Sequence, residues 1–204
     1  AAGQRWSRQT SDFSSRYDKA SERAGAGHYS VTLADHGVRV ELTATQRVAM
    51  HRYTFARPGW VQVLVDLQHG LHYGDTPRVT RSSVQQDAAA GEVSGTVHLK
   101  GWTEREASFV LRFSQPFARA EAVAPRTGEQ APRLLLSFDL PRGGRVLEAR
   151  VALSSVDVAG ARGNLARDDG LRFEAVRAEA RADWETLLGR IAIDAPERRK
   201  RVFY

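Results

Sequence analysis

The stretch VRVELTATQRVAMHRYTFARPGWVQVLVDL, Val38–Leu67, decides the fold of this chain. Val38, Val40 and Leu42 alternate with Arg39, Glu41 and Thr43, the period-two pattern of a strand with one buried and one wet face. Val48–Phe55 (VAMHRYTF) is β-branched and aromatic and predicts a second strand. Arg57-Pro58-Gly59 breaks it, and Trp60–Leu67 resumes as a nearly continuous apolar run that predicts a third strand, buried on both faces, with Trp60 in the core.

The same reading extends outward. His28–Leu33 alternates and joins Val38 across the turn Asp35-His36-Gly37, a hairpin signal. Val79–Val84, Val93–Trp102 and Ala107–Phe113 are three further short strands, with Gly101–Glu106 separating the last two. Leu134–Phe138 and Val146–Leu153 flank the turn Pro141-Arg142-Gly143-Gly144. Short strands at this spacing predict a mainly β, multi-stranded antiparallel fold, a sandwich or a barrel. Pro116–Pro132, with Pro125 and Gly128, reads as an exposed hairpin loop, and Ala1–Gly27 as an irregular or frayed lead-in.

Beyond residue 155 the period changes. Asp157 is placed to cap a short helix through Ala161 and Leu165 that ends near Asp168-Asp169-Gly170. Phe173, Val176, Ala180, Trp184, Leu187 and Ile191 then fall three or four apart, one stripe on a second helix. Glu197–Tyr204 starts a third. The change of period divides the chain into a β domain over 1–155 and helices over 156–204, which either pack across the β domain or link it to a following one. Ala1 is not an initiator methionine and Val202-Phe203-Tyr204 has nothing to pack against, so the expectation is a domain that begins part-way and continues beyond its last residue.

Composition narrows the function. A hydrophobic content of 42% with mixed-sign charge specifies a globular domain. No apolar run approaches the roughly 20 residues of a membrane span, and the absence of cysteine excludes disulfide and thiolate chemistry. The net charge of +6 is spread among acids rather than clustered, as in Arg39/Glu41 and Arg177/Glu179, which argues against a nucleic-acid partner. The basic run Arg198-Arg199-Lys200-Arg201 reads as the wet face of the last helix.

Candidate chemistry is sparse. His69 and His72, with Asp66 or Asp75, have a spacing compatible with metal ligation, but two histidines and two acids near a turn read more simply as surface residues. Glu41, Asp66, Glu104 and Glu106 are the carboxylates on or beside strands from which a paired general acid and base would be drawn. Glu41 is expected to face solvent, or a second layer if one covers it. No Gly-x-Ser-x-Gly elbow and no phosphate loop appear. Trp60, Tyr73 and Trp102 are the aromatic platforms available to a sugar ring; Trp102 and Tyr73 are the substrate-contact candidates.

Taken with these residues, the sequence resembles glycoside hydrolase family 92, the calcium-dependent exo-α-mannosidases. The matching stretches are Gly27–Val31 (GHYSV), Glu41–Thr45 with Arg47, His51–Phe55 (HRYTF), Val63–Gly70 (VLVDLQHG), Gly101-Trp102, Phe113–Phe117 (FSQPF) and Gly160–Leu165 (GARGNL). Trp184, Leu188-Gly189-Arg190-Ile191 and Phe203-Tyr204 continue the order. The resemblance implies an N-terminal β-sandwich joined by linker helices to an (α/α)6 barrel, here absent. It implies hydrolysis of terminal α-mannosides, such as those of N-glycans, with inversion, in a secreted or periplasmic parent enzyme. The acid, the base and most calcium ligands belong to the barrel, so no catalytic residue and no calcium are expected in this chain. The alternative is a free-standing carbohydrate-binding or interaction module using Trp102 and Tyr73.

Overall fold

A computed structural model describes residues 14–68, 79–101, 103–123 and 131–203. Among them are eleven strands: β1 (Arg23–Gly25), β2 (His28–Leu33), β3 (Val38–Ala44), β4 (Val48–Phe55), β5 (Gly59–Asp66), β6 (Val79–Asp87), β7 (Glu92–Lys100), β8 (Glu104–Phe113), β9 (Arg119–Val123), β10 (Arg133–Leu140) and β11 (Val146–Ser154). Three helices follow: α1 (Val158–Arg167), α2 (Phe173–Leu188) and α3 (Glu197–Phe203). The strands form an eight-stranded sheet of order β1-β2-β3-β4-β11-β8-β7-β6 and a three-stranded sheet of order β5-β10-β9. All described pairings are antiparallel. This is the β-sandwich with trailing helices that the family resemblance implies, and it decides between the sandwich and the barrel that the alternation left open.

Period-two alternation gives the large sheet two different faces, and both are covered. On one, Phe109, Leu111 and Phe113 of β8 and Leu147 and Ala149 of β11 meet Leu134, Leu136, Phe138 and Leu140 of β10. The Phe113 and Phe138 rings lie 4.8 Å apart, and Phe117 meets Phe138 edge-on at 6.1 Å. On the other face the helices take the place of a sheet. Val48, Val110 and Ala152 receive Ala161 and Leu165 of α1; Met50 receives Phe173 and Val176 of α2. Asp157 caps α1 by accepting a hydrogen bond from the Gly160 amide at 2.6 Å.

Four local expectations are corrected. The segment Pro116–Pro132 is not simply an exposed loop: β9 lies inside it as an edge of the small sheet, and Phe117 is buried. Its sequence RAEAV turns only alanines inward, too weak an apolar signal to be read beside Pro116 and Pro125. Nor is Ala1–Gly27 wholly irregular, because β1 pairs with β2 through its backbone while its side chains stay exposed. Strand β8 starts at Glu104, inside the segment expected to separate it from β7. And β5 is not buried on both faces: it is an edge strand whose Trp60 is 68% exposed rather than core.

Candidate functional site

The helix-covered face of the large sheet carries the chain's densest chemistry. Register places Glu41 beside Arg52 and Arg52 beside Glu148 in one row across β3, β4 and β11. Arg52 Nε donates to Glu148 at 2.9 Å, and its Nη1 donates to Glu174 of α2 at 2.6 Å. The same guanidinium lies 4.1 Å from the centre of the Phe173 ring. Burial alone would lower the Arg52 pKa, but the two carboxylates outweigh it and hold it raised. Glu174 is in turn held below the usual carboxylate range, mainly by its hydrogen bond from Arg52. One side chain thus pins the first turn of α2 to two strands.

Three further arginines complete the seam. Arg150, next to Arg112 in register, donates to the main-chain oxygens of Leu171 at 2.5 Å and Asp168 at 3.1 Å, holding the connection between α1 and α2. Glu92 is buried and accepts from Arg112 at 2.8 Å and from Arg162 of α1. Burial would push the Glu92 carboxyl up, but the two guanidiniums hold it down.

His28 sits at the end of this seam where α2 crosses β2 and β3. Its Nε2 is buried without a hydrogen-bond partner among the described residues, 3.8 Å from Glu41 Oε1. Burial first, then the Arg177 charge, pushes the imidazole below its usual range. On the opposite face of the large sheet, His51 Nδ1 and the Tyr53 hydroxyl lie 2.8 Å apart, and burial raises the Tyr53 pKa to about 12.

The candidate carboxylates are dispersed. Glu41 is buried by α2, the covered option of the two expected for it, and accepts from Arg39 at 3.2 Å. Asp66 lies at the end of β5, bound to the buried Arg133 at 2.9 Å. Glu104 and Glu106 share one face of β8 and are exposed, 3.2 Å from Lys100 and 3.6 Å from Arg81. Glu41 is separated from β8 by β4 and β11, and Asp66 belongs to the other sheet, so neither joins that pair. Each of the four carries a cationic partner, an arrangement that supplies ion pairing rather than a free acid facing a free base.

Trp102 and Tyr73 lie outside the described residues, as do His69, His72 and Asp75. Gly101 and Thr103, on either side of Trp102, are both exposed. Among the described residues, no three His, Asp or Glu side chains gather closely enough to hold a metal ion.

The sequence matches the family model described as the glycosyl hydrolase family 92 N-terminal domain over residues 2–154. The chain belongs to glycosyl hydrolase family 92. Solved family 92 structures share its fold: an α-mannosidase from Bacteroides thetaiotaomicron, BT3965, superposes with a TM-score of 0.76 at 28% identity over 89% of this chain. The family 92 hydrolase ccman5 gives 0.73 at 28% identity over 88%. An inverting mannosidase, BT2199, of Bacteroides thetaiotaomicron VPI-5482 gives 0.72 at 23% identity over 87%, a likeness of fold. The chain spans only about a quarter of each of these proteins: 26%, 26% and 24%. A search of curated proteins finds no match.

Within this family 92 domain, sequence reading passed over Arg52, Glu148 and Glu174. A signal was present in VAMHRYTF. Val48, Met50 and Arg52 alternate onto one face, so an arginine stands where an apolar residue belongs, which marks either the end of the buried face or a paired buried cation.

Proposed function

We propose that this chain is the supporting N-terminal sandwich of an α-mannosidase that hydrolyses terminal α-mannosides with inversion, and that the hydrolytic groups lie in the remainder of the polypeptide. The observation that carries this reading is the condition of α2. Phe173 and Val176 are buried on the sheet, whereas Trp184 and Leu187, farther along the same stripe, are exposed at 48% and 51%. A free-standing binding module has reason to cover such a stripe; a domain that continues into a larger partner leaves it for that partner. In this reading residues 156–204 link the sandwich to an (α/α)6 barrel, and the stripe closes against it. In this reading most of the calcium ligands belong to the barrel. The substrate class is the α-mannoside, including those of N-glycans met by a secreted or periplasmic enzyme.

The deciding experiment measures mannose release from an α-mannobiose by this 204-residue chain and by its full-length parent, with calcium and with chelator. The expected result is release by the parent alone, abolished by chelation. Release by the short chain would overturn the reading and make Glu41, Asp66, Glu104 and Glu106 the first residues to substitute.

A further inference from the structure

The outer face of the small sheet carries a feature that support of a barrel leaves unused. On that face Trp60 of β5 stands opposite Asp139 of β10, and Gln62 stands opposite Ser137. The intervening residues Val61 and Phe138 turn inward to the core. Trp60 is 68% exposed, and Gln62 and Asp139 beside it are exposed as well. Among the described residues no aromatic ring or cation stacks on the indole, and the Asp139 carboxylate has no partner.

The site is shaped by its surroundings. Trp60 sits where the sheet ends in two tight turns, one closed at Gly59 with φ of +102° and the other at Gly143 with φ of +85°. The second is tied by the Gly144 amide donating to the Pro141 carbonyl at 2.9 Å. Gln62 Nε2 donates to Ser137 Oγ at 3.3 Å, which orders the amide and the hydroxyl, while Gln115 Nε2 donates to the Asp139 main-chain carbonyl at 3.3 Å and leaves the carboxylate open to a ligand. The result is a flat aromatic surface on a rigid sheet, bordered by a carboxylate, an amide and a hydroxyl.

Three kinds of partner meet an exposed indole, and the border chooses among them. An apolar protein surface needs a contiguous apolar patch, which Asp139, Gln62 and Ser137 interrupt. A nucleic acid needs cations beside the ring, and the nearest charge in register is the Asp139 carboxylate. A pyranose ring offers both halves of the match: a face of C–H bonds to lie on the indole, and edge hydroxyls to donate to a carboxylate and exchange hydrogen bonds with an amide. We propose that Trp60, with Asp139 and Gln62, is a glycan-binding subsite on the outer face of the small sheet, taking a pyranose of an α-mannoside chain. The identity of the sugar rests on the reading of the parent as an α-mannosidase; the stacking subsite does not.

The test is native gel electrophoresis of the full-length parent through gels containing α-mannan, β-glucan or xylan, comparing the wild type with Trp60→Ala and Trp60→Phe. Retardation by α-mannan is expected to weaken at least about fivefold in Trp60→Ala, the scale of losing a central aromatic contact, and to survive largely in Trp60→Phe. Because the side chain is exposed, the thermal midpoint of Trp60→Ala should match the wild type. Unchanged retardation in Trp60→Ala overturns the proposal, as does absence of retardation by every polymer. A lowered midpoint also overturns it, since the indole would then be packed against the rest of the polypeptide. If the parent releases no mannose and yet binds one of the polymers through Trp60, the subsite stands and the mannosidase reading falls.

Discussion

Removing the Arg52 guanidinium would leave Glu148 and Glu174 without their shared cation and take the cover from one side of the Phe173 ring. Arg52→Met keeps most of the stem's packing but loses two charge-assisted hydrogen bonds, so a destabilisation of about 2 kcal/mol is expected, read as a lower urea midpoint at unchanged slope. Glu174→Gln should cost less, under about 1 kcal/mol, because Glu174 is 60% exposed and its share of the pairing is screened by water. Equal losses in the two variants would show that the clamp does not act through Arg52. The half-buried histidines set a pH dependence whose sign is fixed. His28 and His51 are both held below the usual value of 6.5 by burial, so the unfolded chain binds protons where the folded chain resists them. Stability is therefore full above pH 6.5 and falls as the pH drops below it. Glu92 and Glu174, lowered from 4.5, contribute stability above that value and lose it in a second, more acidic stage. The groups that face His28 are Glu41 and Arg39 from β3 and Glu174 and Arg177 from α2. His28→Gln should flatten the decline below pH 6.5 in part, with His51 keeping the remainder; an unaltered decline would remove His28 from the account.

At the scale of elements, α2 docks where β1 turns into β2. Gly27 has φ of +75°, and a Cβ built on it would stand 2.8 Å from the Ala180 Cβ. Gly27→Ala therefore combines a left-handed backbone cost of about 1–2 kcal/mol with a clash that lifts the helix. The expected signature is faster hydrogen exchange of the α2 amides around Ala180 while β8, β10 and β11 stay protected; Ala180→Gly in the same chain should relieve the clash only in part, because the Ala180 and Arg181 backbone atoms would remain 3.0 and 3.1 Å from the new Cβ, and it should not relieve the backbone strain. Uniform loss of protection would mean that α2 and the sandwich unfold as one unit. The period of the apolar residues made both α2 and the central strands legible in sequence, because β8, β10 and β11 each bury branched or aromatic side chains. Strands β1 and β9 were not legible: they are held by edge pairing of backbones, and their inward residues are alanine or none. Trp60 was misread for a related reason. An apolar run records hydrophobicity without recording its strand's position, and β5 lies at the edge of its sheet. The dispersal of the carboxylates was equally out of reach, since it depends on a strand order in which β4 and β11 separate β3 from β8.

For the whole molecule, the consequence of belonging to a much longer family architecture is an unbalanced surface. Trp184 and Leu187 continue the line that Phe173 and Val176 bury, whereas Ile191, expected on the same stripe, lies beyond the end of α2 at Leu188 and, with Val202 and Phe203 of α3, adds further exposed apolar area. No described helix is long and apolar enough to cross a membrane. Exposed hydrophobic area of this kind favours association when the chain is alone and domain contact when it is not. The paired variant Trp184→Ser/Leu187→Ser separates these states. In the isolated chain it should reduce concentration-dependent association, seen by sedimentation, with little change in unfolding midpoint, because both side chains are exposed there. In the full-length parent the same pair should lower the thermal midpoint by several degrees and reduce mannose release together with it, since burying two large side chains contributes roughly 1.5–3 kcal/mol each. Retained stability in the parent would place the barrel contact elsewhere on the sandwich, and the α2 stripe would then lose its assignment as the joint between the two domains.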